Sequence, residues 1–236
     1  MRGLVHKKGA SHFEMIISFV FFIGFVFFLF IFLQPHDTSM LSGAVTTGLY
    51  DSFEEYAHTN LSNMFLKTNY TGTSSCFYIQ LPKEDFIYVI TDGNSYVTKL
   101  SGTDVNSSLD GNDLNIEEGE SFFRVAISPE FDDDDITDCD SLSDYELGPP
   151  IERRVLSYSA LEEMSERYFN NYEELKSDLR VPPIFDFAIV SENLPIKMEP
   201  QNGVPDSIDI MVQDYMIGVL KSDGTLINDR FSLKIW

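Results

Sequence analysis

Lys7-Lys8-Gly9-Ala10-Ser11-His12-Phe13-Glu14 is followed by nineteen residues, Met15 to Leu33, that carry no charge. A helix over this stretch rises about 1.5 Å per residue, and a bilayer core is about 30 Å thick, so the run predicts a membrane span. Arg2, Lys7 and Lys8 precede it, and the next basic side chain apart from histidine is Lys67. That asymmetry predicts a cytoplasmic N-terminus, with the rest of the chain outside the cell. The run exceeds a secretory h-region, and no small-residue cleavage site follows it, so it reads as a retained anchor. Phenylalanines at 19, 21, 22, 25, 27, 28, 30 and 32 cover every face of the helix, which suits packing against lipid and against other helices alike. Pro35 closes the run. Glu14 is the costly residue, a carboxylate at the start of an apolar segment.

Lys7-Lys8-Gly9, then Ala10 and, five residues after the glycine, Glu14 resemble the class III signal peptide of type IV prepilins, in its archaeal form. The resemblance covers about the first 35 residues. It implies cleavage between Gly9 and Ala10 by a prepilin peptidase and retention of the apolar helix. It also implies assembly with other pilin-like subunits, in which Glu14 meets the freed amine of Ala10 on a neighbour, each offsetting the desolvation of the other. Ala10 departs from the phenylalanine that many bacterial pilins carry there. Two simpler readings stay open: a signal anchor whose Glu14 reaches the headgroups or pairs with Lys7 or Lys8, and a single-pass surface binding protein that does not assemble.

The domain plan expected from these readings is a basic leader over 1–9, a transmembrane helix over 10–34 and an extracytoplasmic domain over 35–236. The expected fold class is α+β, an antiparallel β-sheet domain carrying helices, displayed at the cell membrane for adhesion or motility. With 38 acidic and 16 basic residues, the formal charge is −22. Such a field repels nucleic acids and anionic lipid, so nucleic-acid partners are excluded.

Apolar residues from Met40 to Tyr56 recur at helical spacing and predict a helix over Ser39–His58. Strand patterns occupy 63–67, 76–81, 86–91, 96–100 and 121–127, with Asp92-Gly93-Asn94 as a hairpin turn. Ser157 to Leu179 reads as one helix, capped by serine and stopped by Pro182-Pro183, with Leu161, Met164, Tyr168, Tyr172, Leu175 and Leu179 on one face. A strand over 185–190 follows. The chain ends in a hairpin, 215–221 and 225–236, turning at Ser222-Asp223-Gly224 and anchored by Trp236.

Cys76 and Cys139 are the only cysteines. An even pair outside the cell reads as a candidate disulfide, the alternative being two separate buried thiols. Asn60, Asn69 and Asn106 head candidate N-glycosylation sequons. No cofactor is expected, with one candidate exception: Asp132, Asp134 and Asp138, in the acidic run around Cys139, offer oxygen ligands for Ca²⁺. Adjacent carboxylates diverge, and a solvated loop is the alternative. The run from Asp104 to Asp110 resembles a calcium loop but lacks its glycine and final glutamate. No histidine pair, nucleophile elbow or phosphate loop occurs, so no catalytic residue is assigned and no enzymatic activity is expected.

Overall fold

The computed structural model describes residues 10–32, 38–71, 74–82, 93–117, 121–132, 134–204 and 209–236. The chain divides into two units, Met1–Ser42 and Gly43–Trp236.

The first unit holds helix α1, Ala10–Phe32. Its side chains are described over 13–29. Among the described residues no helix is long and apolar enough to cross a membrane. The expected anchor is therefore corrected, and with it the single-pass topology with a cytoplasmic N-terminus. The break expected at Pro35 lies outside the described residues.

Helix α2, Thr38–Ala57, enters the second unit at Gly43. Leu49, Phe53 and Ala57, four residues apart, are buried on one of its faces. Among the described residues the strands then run β1 His58–Thr68, β2 Cys76–Gln80, β3 Asn94–Lys99, β4 Asp104–Val105, β5 Ser107–Asp110, β6 Asp113–Glu117, β7 Phe122–Ser128, β8 Asp140–Ser141, β9 Tyr145–Leu147 and β10 Ile151–Ser157. Helices α3, Tyr158–Asn170, and α4, Tyr172–Asp178, precede β11 Phe187–Ser191, β12 Lys197–Met198, β13 Met211–Leu220 and β14 Leu226–Ile235.

These strands form two sheets. The larger has ten strands in the order β12-β11-β14-β13-β10-β1-β7-β3-β4, with β9 also on β1; the smaller runs β5-β6-β2-β8. The expectation of one antiparallel sheet is corrected, since β10 pairs parallel to β13 and β2 parallel to β8. The first parallel pair follows from connectivity. Between β10 and β13 the chain passes through two helices and two strands, long enough to return in the same direction. The supported architecture is a mixed α+β fold of two open sheets.

Strand β1 is the backbone of the large sheet. It pairs with β7 through 62–67 on one side and, on the other, with β10 through 58–63 and β9 through 66–68. Gly148-Pro149-Pro150 separates β9 from β10 and adds a residue opposite β1, a bulge. Neither proline donates to the ladder. The Gly148 amide still donates to the Phe65 carbonyl at 2.8 Å. A Cβ there would lie 3.4 Å from that oxygen.

Two cores result. One packs α2, α3 and α4 on the β11–β14 half of the large sheet, with Phe53, Leu161, Met164, Leu175, Phe187 and Phe231 at its centre. Phe53 and Phe231 meet with ring centroids 5.5 Å apart, and Tyr50 stacks on Tyr215 at 3.8 Å. The other lies between the sheets, with Phe77, Ile79, Leu114 and Ile116 facing Leu66, Phe123, Val125 and Ile127. A small cluster of Leu61, Phe131, Val155 and Leu220 makes a third group.

The helix expected over 157–179 is two helices. Ser157 caps α3, its hydroxyl accepting from Ala160 N at 3.0 Å. Asn171, at φ −148° and ψ 46°, breaks the run. Its side chain hydrogen-bonds Glu174, the local alternative to helix that makes asparagine a poor interior residue. The strand expected over 86–91, with its turn at 92–94, lies outside the described residues save for Gly93 and Asn94.

Candidate functional site

Of the side chains singled out in the sequence, Asp134, Asp138 and Cys139 line one open cleft together with Asp110, and the others are dispersed. Gly9 lies outside the described residues, and Ala10 begins α1. Glu14 is exposed on that helix. With no membrane-spanning helix among the described residues, the resemblance to type IV prepilins loses its basis. Assembly into a filament and the expected partners, membrane lipid, a prepilin peptidase and other pilin subunits, are corrected on the same finding. So is the alternative of a membrane-anchored binding protein.

Cys76 and Cys139 are joined in a disulfide, with Cα atoms 4.9 Å apart. It ties β2 to the loop before β8. Asn60, Asn69 and Asn106 are all exposed, and Asn106 Nδ2 donates to Glu117 Oε2 at 2.6 Å. Asp132, Asp134 and Asp138 are exposed too. Asp134 Oδ2 accepts from the Ser107 amide at 3.3 Å, while Asp138 occupies a left-handed backbone conformation, φ 62°. Among the described residues no three His, Cys, Asp or Glu side chains are grouped to hold a metal ion. Asp104, from the calcium-like run, instead accepts from the Tyr96 hydroxyl at 2.6 Å.

The fold also assembles an aromatic cleft of about 450 Å³ in the second unit, lined by Tyr168, Phe169, Tyr172, Asp186, Pro200, Gln201, Gly203 and Trp236. Three segments build it. The break at Asn171 puts Tyr168 and Phe169, from the end of α3, beside Tyr172, the first residue of α4. The rings of Tyr168 and Tyr172 meet edge to face at 5.1 Å, and Phe169 sits 5.3 Å from Tyr168. The second segment is the turn after β12, where the Gly203 amide donates to the Pro200 carbonyl at 2.9 Å. Gly203 has φ 73°, a conformation that glycine adopts without a Cβ penalty. The third is the C-terminus. Asp186 and Trp236 exchange both backbone hydrogen bonds, at 2.8 and 3.1 Å, which fixes the Trp236 ring at the cleft wall.

The polar groups under the cleft are held firmly. Asp186 Oδ1 accepts from Tyr172 Oη at 3.0 Å and from Lys176 Nζ at 3.0 Å. Lys176 is buried, also donates to the Pro183 carbonyl at 3.2 Å, and stands 5.8 Å from the centre of the Tyr172 ring. Its burial is tolerable because the charge is paired and hydrogen-bonded. Tyr168 donates to the Phe187 carbonyl at 2.9 Å. Burial, then the nearby Asp186 and Glu199, push the Tyr168 hydroxyl up from its ordinary pKa. Burial chiefly does the same for Tyr172, with Asp186 adding to it against the opposing bond from the Phe187 amide. Both phenols therefore stay protonated at neutral pH and act as donors. Asp186 Oδ2 takes none of these bonds.

Sequence reasoning placed Tyr168 and Tyr172 on an apolar helix face and Trp236 as the anchor of the closing hairpin, and did not identify the cleft. The available signal was Phe169, an aromatic off the apolar stripe of its helix and 52% exposed. Comparison with protein families, with curated proteins and with solved structures gives no match.

Proposed function

We propose that the second unit is a ligand-binding domain, working in an oxidising compartment, and that the aromatic cleft is its binding site. The observation that carries this reading is the cleft itself: aromatic rings from two helices and the C-terminus around one carboxylate whose Oδ2 lies outside the bonds to Tyr172 and Lys176. Small-molecule sites are concave, mostly apolar and furnished with a few fixed polar groups. An exposed aromatic beside a half-buried tryptophan leaves apolar surface that a ligand would cover. The Cys76–Cys139 disulfide supports the compartment, since such bonds persist where thiols are not kept reduced.

Binding is favoured over catalysis by the state of the buried acids. Glu130 accepts from the Ser157 hydroxyl and from Ser159 through its amide at 2.9 Å and its hydroxyl at 2.8 Å. Asp229 is surrounded by donors from Ser191, Asn193, Leu194 and Arg230. Acids bonded in this way pin loops, and neither Glu130 nor Asp229 lines the aromatic cleft.

The full-length protein and its Phe169→Ala variant, screened by thermal shift against compounds grouped by chemical class, test the reading. Phe169 is exposed, so the substitution itself should change stability by no more than about 0.5 kcal/mol. At least one class should raise the midpoint of the native protein and not that of the variant. Equal shifts in both proteins, or none in either, would refute the cleft as a ligand site.

A further inference from the structure

Resting on that reading of the cleft, we infer that its ligand is a neutral sugar ring, a pyranose unit of a glycan. Charge decides first. The carboxylate at the cleft is already neutralised, because Lys176 Nζ lies 3.0 Å from Asp186 Oδ1 and is itself buried. A cationic ligand would have to compete with a lysine that is already desolvated and paired. An anionic ligand meets the field of a chain with formal charge −22. A neutral ligand faces neither penalty.

The remaining groups then fit a polyol with an apolar face. Phe169 and Trp236 line the cleft with partly exposed aromatic surface. Aromatic rings carry a negative face, which attracts the weakly positive C–H groups on the flat side of a pyranose. Asp186 Oδ2 is left to accept from a hydroxyl, and a charge-assisted bond of this kind is among the stronger ones. The Gln201 amide, exposed on the Pro200–Gly203 turn, supplies both donor and acceptor, as vicinal hydroxyls require. At about 450 Å³ the cleft falls within the size range of sites for such ligands.

Trp236 is the only tryptophan of the chain, so its fluorescence reads the cleft directly. The full-length protein would be titrated separately with neutral disaccharides of glucose, galactose and N-acetylglucosamine, and with tetramethylammonium chloride as the cationic probe. Saturable change in Trp236 emission with at least one disaccharide is expected, at least tenfold weaker in Phe169→Ala and in Gln201→Ala, with no response to tetramethylammonium. Both replaced side chains are exposed, so two independent variants guard against a folding defect. A response to tetramethylammonium but to no disaccharide overturns the sugar assignment and leaves the cleft a binding site. Silence toward every probe overturns both. A disaccharide response undiminished in the two variants places the sugar elsewhere and overturns the assignment.

Discussion

Asp229 shows how a single buried acid organises a loop. It lies on β14 with no exposed surface and gathers the Ser191 hydroxyl, Asn193 through its amide at 3.1 Å and its side chain at 2.7 Å, and the Leu194 amide at 3.2 Å. Burial alone would raise its pKa, but the bonds from Ser191, Asn193 and the Arg230 amide outweigh that and hold it below the usual carboxylate range. Glu199 is also held low, by hydrogen bonds from Lys234 and Lys197 that outweigh its desolvation. For both acids the folded pKa lies below the unfolded value, about 3.9 for Asp and 4.3 for Glu. The stability they contribute is therefore complete above those values and is lost as pH falls through the folded ones. Chemical denaturation at a series of pH values should show this loss below about pH 4, and Glu199→Gln should flatten the acid limb. Asp229→Ala strands several buried donors and should cost about 2–4 kcal/mol, read as a lower denaturation midpoint with an unchanged slope. A cost under about 0.5 kcal/mol would mean that water satisfies the loop equally well.

At the scale of elements, the closing hairpin depends on one glycine. Its turn places Gly224 at φ 76°, and a Cβ built there would overlap the Tyr96 ring. Tyr96 is in turn fixed by its bond to Asp104 and by Phe131, 5.6 Å away, and burial followed by Asp104 raises its pKa to about 12. The β13–β14 turn thus docks against β3 through a contact that no side chain fits. Gly224→Ala combines a left-handed backbone cost with a displaced aromatic, and should lower stability by about 2–3 kcal/mol in equilibrium unfolding. Loss below about 1 kcal/mol would show that Tyr96 moves aside freely.

The same hairpin illustrates what the sequence makes legible. Its period-2 pattern and Ser-Asp-Gly turn are local, as are the cap at Ser157 and the apolar spacing of α2. Strand β10 was not legible, because Ile151-Glu152-Arg153-Arg154 opens it with exposed residues behind two prolines, and only pairing with β1 makes it a strand. The cleft was hidden for a related reason. Tyr168, Asp186, Gln201 and Trp236 are far apart in sequence, and only the break at Asn171 and the Asp186–Trp236 backbone pair bring them together. The apolar run at 15–33 misled in the opposite direction: its composition is a strong local signal, yet among the described residues no helix is long and apolar enough to cross a membrane.

Across the second unit, two cores share one large sheet, and the disulfide belongs to only one of them. Cys76 lies on β2 of the small sheet, and its partner Cys139 is 63 residues away. The enclosed loop contains β3 to β7, that is, the inner strands of the core between the sheets. The helical core around Phe53, Leu161 and Phe231 lies outside the loop. Closing a loop of this length restricts the unfolded chain and contributes about 4 kcal/mol. That contribution acts first where the loop's own strands must stay paired, so its loss should appear as local opening before global unfolding. In Cys139→Ser, or after reduction, amide hydrogen exchange should quicken in β2 and β6 while β14 keeps its protection. The Trp236 emission, which reports the cleft beside α3 and α4, should stay native under conditions that have already opened the small sheet. Uniform loss of protection across β2, β6 and β14 would instead mean that the continuous strand β1 couples the two cores into one cooperative unit, and that the bridge stabilises the whole of it.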